Sequence, residues 1–217
     1  MSRVLPMFPL GSVLLPHAVL PLHVFEPRYQ EMMRTLDPAD PEFGVVLIQR
    51  GSEVGGHDVR SSLGTVARVV EQAELPDGRW VLVAVGTVPF VVDDWLEDDP
   101  FPRAVVSERP DLPWAVGGDQ GPDVAVESPE TTVLGAERLV RRALALAVEL
   151  GDSNAAATFE LQGSPSERVW QLTVLAPLGP SDRQRLLGQA EPGRRCAQLI
   201  EMVSDCIDLL AFRMGGG

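Results

Sequence analysis

The sequence predicts an α+β protein in two parts, a β-rich first half followed by a helical second half. Three observations lead there. Up to residue 110, valine-rich runs of four to eight residues alternate with turn residues at roughly even spacing. From residue 128 onward, apolar residues instead recur every three and four positions. Between them, "PDLPWAVGGDQGPDVAVE" is rich in proline, glycine and aspartate without any period. It marks 111–127 as a linker or flap between a 1–110 subdomain and a 128–217 subdomain. At 217 residues the chain is long enough to bury a core without metal or disulfide staples.

The first elements are "RVLPMFPL" and "VLPLHVF", extended stretches broken by proline, which suits edge strands and corners. In the second, Leu20, Leu22 and Val24 face one side, and Pro21, His23 and Phe25 the other. His23 beside Phe25 reads most simply as a partly buried structural histidine. A helix follows. Pro27 fits its first position, where a missing N–H costs nothing, and Tyr29, Met32, Met33 and Leu36 form one apolar stripe before Asp37–Pro38 ends it. Glu26 is placed to accept the orphan amides of that helix, and Arg28 to pair with it and tie strand to helix.

Next come "FGVVLIQR", "LGTVARVVEQAEL", "GRWVLVAVG", "TVPFVVDDW" and "PRAVVSE". Asp77–Gly78 supplies the positive-φ positions of a hairpin turn, and Gly86 marks a bend between two successive strands. Five or more short strands with one helix point to a small, partly closed barrel.

The second half reads as a bundle of about four helices. Ser128 caps the first, with Pro129 at its first position and Glu130 near its positive end. Val133, Ala136, Val140, Ala143, Leu144 and Ala147 line one face, and Gly151 closes it. Ser164 and Glu167 form a capping box ahead of Val169, Leu172 and Leu175. A short helix follows Pro180. The last helix carries Cys196, Leu199, Ile200, Val203, Ile207 and Leu210.

Formal charge is −13, divided −7 and −6 between the halves, with no basic patch. Nucleic acid and anionic membranes are therefore disfavoured as partners. There is no lysine, which excludes a Walker-A loop, a Ser–Lys dyad and a Schiff base from this chain. Cys196 and Cys206 share a helix, ~15 Å apart and beyond disulfide reach. Without a signal peptide or an apolar run near ~18 residues, a cytoplasmic protein is expected.

No catalytic set emerges. His23 and Glu26 lie three apart, but a general base must meet a nucleophile and none is near. His17 and His57 lack cysteine or histidine at zinc-ligand spacing. The acidic run "DDWLEDDP" reads as a solvated turn. The expectation is no catalytic residue, no metal ligand and no cofactor. Two rivals stand beside it: a small hydrolase using His23 and Glu26, and an RNA-binding barrel.

The stretch "MFPLGSVLLPHAVLPLHVFEPRYQEMM" resembles the opening of the Lon protease N-terminal, substrate-binding domain. "FGVVLIQRGSEVGG", "LGTVARVVEQAELPDGRW" and "FPRAVVSE" continue the likeness in the family's order, and "LTVLAPLGPSDRQRLLGQAEPGRRCAQLIEMV" is similar to the bundle that completes that domain. The resemblance implies an N-terminal PUA-like β pseudo-barrel with one helix, then a C-terminal helical bundle. It also implies a non-catalytic module that binds unfolded or exposed polypeptide segments, acting as an adaptor or holdase in protein quality control beside a separate ATP-dependent protease. With no lysine and an end at "AFRMGGG", a stand-alone member without ATPase or peptidase domains is expected. His23, Phe25, Glu26, Pro27, Arg28 and Tyr29 make up the structural motif. Phe25, Met32, Met33 and Trp114 are candidate peptide contacts around a crease between barrel and bundle, framed by 110–127 and by "GSEVGGHD" at 51–58. The chain departs from the family at Thr87–Phe90, where members often carry a basic residue and an aromatic.

Overall fold

The computed structural model describes residues 2–50, 59–115, 128–152 and 158–215. The chain divides into two compact units, Met1–Pro110 and Asp111–Gly217, so the protein is α+β, with strands in the first unit and a bundle in the second.

Unit 1 holds β1 (Ser2–Leu10), β2 (Val19–Val24), α1 (Pro27–Thr35), β3 (Glu42–Arg50), β4 (Val59–Glu74), β5 (Trp80–Trp95) and β6 (Arg103–Glu108). The six strands form one curled sheet in the order β2-β5-β4-β3-β1-β6, and β6 also pairs with the far half of β5. The hairpin at Asp77–Gly78 is present, with Gly78 at φ 81°.

The structure revises two expectations. Gly86 does not separate two strands; β5 runs unbroken for 16 residues. Gly86 is instead where another backbone crosses: an added Cβ would lie 2.2 Å from the Leu15 carbonyl oxygen. The ladder with β4 absorbs the local kink as a register shift between Thr65 and Ala67. β2 is the edge strand that its proline suggests, whereas β1 is interior in strand order yet has a strand neighbour on only one side along each half. Its first half pairs with β6 and its second half with β3, so no part of it needs donors on both sides over the same stretch.

α1 buries Tyr29, Met32 and Met33 against Phe8, Leu14, Phe43, Val45, Leu82 and Ala84. A second cluster around Met7, Val66, Phe90 and Val106 fills the other end of the sheet. Phe90 is fully buried, and its ring covers two glycines: a Cβ on Gly44 or Gly64 would stand 2.9 or 2.7 Å from its Cζ. The departure at Thr87–Phe90 thus lands on a core plug.

Unit 2 contains α2 (Pro129–Glu149), α3 (Pro165–Leu175), α4 (Pro180–Leu187) and α5 (Pro192–Gly215). Ser128 caps α2 through the Thr131 amide, and all six residues of its expected stripe are buried. Gly151 ends it at φ 74°. The capping box at Ser164 and Glu167 is formed reciprocally. These faces meet in one core around Val140, Leu172, Leu186, Leu199 and Val203.

Two arginines tie unit 2 together. Arg183 caps the end of α3, donating to the Val174, Ala176 and Leu178 carbonyls, and burial pulls its pKa down. Arg195 is 1% exposed. It grips Asp111 with two bonds of 2.9 and 2.5 Å, donates to the Gln189 carbonyl and stacks 3.4 Å over the Trp170 ring. Trp170 Nε1 also donates to Asp111, at 3.1 Å.

Candidate functional site

The opening motif forms a corner. Glu26 occupies the N-cap position of α1, and its carbonyl accepts from the Tyr29 and Gln30 amides. Its carboxylate makes no capping bond. It is drawn off instead by Arg28, at 3.1 Å, whose guanidinium lies 4.6 Å from the Tyr29 ring centroid. Tyr29 stacks on Phe8 at 4.2 Å. His23 is exposed rather than partly buried, because it lies on the outward side of β2. It makes no hydrogen bond to Glu26, so the structure does not assemble the His23/Glu26 pair.

Met32 and Met33 are 0% and 3% exposed. They cannot meet a ligand from outside, since the stripe that contains them is the one α1 turns inward. Phe25 is 56% exposed. Trp114 is half-buried and packs on the unit 2 core, its Nε1 beside Gly193, while the Ala115 amide donates to Glu191. Residues 51–58 and 116–127, offered as rims of a crease, lie outside the described residues.

What the structure does bring together is an outward face on β2, β5 and β4. Register pairs Val19 with Val85, Pro21 with Val83 and His23 with Val81. The next strand sets Arg68 beside Val85, Glu71 beside Val83 and Ala73 beside Val81. Cross-strand partners share a face, so six small apolar side chains form a contiguous strip edged by Arg68, Glu71 and His23. Val19 and Val81 are exposed, and Val70, at a register shift of β4, is 55% exposed. A shallow depression of about 190 Å³ runs between Ala73 and Val83. Phe25 follows directly on β2. The Arg68 guanidinium is held by Glu42 and Asp40 at 2.9 and 3.1 Å, which raises its pKa and keeps the strip's rim charged.

Sequence reading missed Val19, Val81 and Val83. The available signal was "WVLVAV", an uninterrupted apolar run in which both faces of the strand are hydrophobic.

The cysteines are not equivalent. Cys196 is fully buried, and burial pushes its thiol up to about 12. Cys206 is half-buried, not on the core stripe, and its pKa is raised by burial and then by Asp182. For Cys196 the raised value means stability intact below pH ~9 and lost as pH climbs toward 12, because the unfolded chain ionises first. Urea unfolding is expected to show a loss of about 1–2 kcal/mol from Cys196 between pH 9 and 10.5, reduced in Cys196→Ala to the smaller part that the raised Cys206 thiol contributes; an equal loss in that variant would refute the assignment.

Among the described residues no group of three or more potential ligands can hold a metal, and no helix is long and apolar enough to cross a membrane. A curled mixed sheet with one helix, followed by a helical bundle, is the architecture of Lon N-terminal domains. It matches the crystal structure of a Lon N-terminal domain protein from Xanthomonas campestris with TM-score 0.61 and 30% identity, covering 92% of this chain and 98% of that one. The N-terminal domain of Mycobacterium avium complex Lon protease shares the fold at TM-score 0.56 and 15% identity, covering 94% and 99%. The model of the ATP-dependent protease La (LON) substrate-binding domain matches residues 4–205. The chain belongs to that family. Lon protease 2 of Herpetosiphon aurantiacus is 27% identical over 95% of this chain, which spans 24% of that protease.

Proposed function

We propose that this chain is a non-catalytic module that binds exposed apolar polypeptide segments on the outward face of β2, β5 and β4. The observation that carries this reading is the strip itself: valines 19, 81, 83 and 85 with Pro21 and Ala73, aligned by register, with Val19, Pro21, Ala73 and Val81 exposed and Val83 and Val85 half-buried. A monomer rarely leaves such a patch without use. Branched side chains on a sheet are a firm surface that accepts many sequences, because contact is apolar and non-directional. The charged rim keeps the face soluble between encounters. The net charge of −13 favours clients with basic flanks over nucleic acid. The two free thiols fit a reducing cytoplasm, and transfer of bound segments to a separate ATP-dependent protease is the adaptor form of the same activity.

The test is fluorescence anisotropy with a labelled, reduced and carboxymethylated polypeptide that cannot fold. The doubly substituted Phe25→Ser/Val81→Ser chain is expected to bind about tenfold more weakly, with its melting temperature nearly unchanged because both positions face solvent. Undiminished binding by that variant, or none by the parent chain, would end the reading.

A further inference from the structure

Unit 2 carries a second, chemically different recess. It lies between α4 and the C-terminal half of α5 and encloses about 340 Å³, at the small end of the range for ligand pockets, ~300–1,000 Å³. Its floor is apolar: Leu178, Met202 and the Cys206 thiol, which points to the Pro177 carbonyl at 3.6 Å. Leu209 forms a wall and is 61% exposed. The rim is acidic on both sides, with Asp182 on α4 and Asp205 on α5. The recess contains a single cation, Arg185, which reaches Asp182 only at 3.7 Å and is itself largely exposed. Asp205 forms no ion pair among the described residues.

We infer that this recess is a docking site for a polypeptide segment from another protein, one that presents a large aliphatic or aromatic side chain flanked by arginine or lysine. The volume admits one or two such side chains, and Met202 lends the floor a shape that adapts. The two carboxylates define the flanks: a cation beside the inserted side chain meets Asp205, which has no ion-pair partner among the described residues, while an acidic flank is repelled. A second copy of this chain fits poorly, since it has no lysine and would bring −13 against −13. The site is separate from the sheet face and stands or falls independently of it.

Cys206 makes the recess readable. Only two cysteines exist, and Cys196 is fully buried, so alkylation of the native chain reports on the recess. Two capped 14-residue peptides with the same leucine- and phenylalanine-containing core, one flanked by arginine and one by glutamate, serve as probes with the full chain and N-ethylmaleimide. The arginine peptide is expected to bind and to slow Cys206 alkylation at least about fivefold at saturation, and the glutamate peptide to do neither. Leu209→Ser should weaken binding about tenfold and Asp205→Asn about threefold, with circular dichroism and melting unchanged. Phe25→Ser/Val81→Ser should leave this binding intact. Failure of the arginine peptide to bind, equal binding of both peptides, binding without protection of Cys206, or binding untouched by Leu209→Ser would each overturn the inference.

Discussion

Arg195→Met is expected to destabilise unit 2 by about 3–5 kcal/mol, lowering its melting temperature by about 12–40 °C. The guanidinium is desolvated, and it is balanced by two bonds to Asp111, the Gln189 carbonyl and the Trp170 face. Removing it strands the Asp111 carboxylate, whose side chain is only 21% exposed, with the Trp170 N–H as its remaining partner. Asp111→Leu should cost a similar amount by leaving the arginine unpaired. The double variant Arg195→Met/Asp111→Leu is expected to be less destabilised than the sum, since neither charge is then buried alone. Denaturant titration of the four chains gives the coupling energy. Strict additivity would show that the pair is not the fastening it is taken for.

The second large effect is expected at Phe90, where truncation to alanine should cost about 3–5 kcal/mol. Its ring fills the space left by Gly44 and Gly64, so Phe90→Ala opens a cavity over two strands rather than one. The glycines then respond differently. An alanine at Gly44 meets side-chain atoms only, Met7 Sδ at 2.5 Å and Phe90 Cζ at 2.9 Å, so Gly44→Ala should be partly tolerated once Phe90 is alanine. An alanine at Gly64 meets the Val45 carbonyl at 2.2 Å, a backbone group that cannot swing aside. Gly64→Ala should therefore remain severely destabilising with or without the ring. Equal rescue at both glycines in a thermal melt would contradict this account.

How much of this was legible beforehand depends on whether the signal is local. The α2 stripe from Val133 to Ala147 could be read residue by residue, because a helix repeats its environment every 3.6 positions. The Ser164–Glu167 box could be read because both halves lie within one turn. Gly86 is legible as a special position but not as a crossing point. A glycine in a strand signals a bend or a close neighbour, and Leu15, the neighbour, is 71 residues away in sequence. Alternation sets His23 on the face opposite Leu22 and Val24, but it distinguishes two faces without saying which one is covered. The apolar strip on β2 and β5 has the same ambiguity, as outward valines on β5 look like inward ones. Asp111 and Arg195, 84 positions apart, leave no local trace, and Asp111 fell in a stretch read as a linker. Its first five residues are in fact laced to the bundle through Asp111, the Leu112 amide and Trp114.

The strand arrangement of unit 1 has a further consequence. β5 is shared by β2, β4 and β6, whereas among the described residues β2 pairs with β5 alone. Releasing β5 would dismantle three ladders at once, while fraying β2 gives up a single six-residue one. The apolar strip is therefore built from one strand anchored on several ladders and one margin anchored on a single ladder. Opening at that margin is expected to cost less than opening at β5, because fewer backbone bonds are given up.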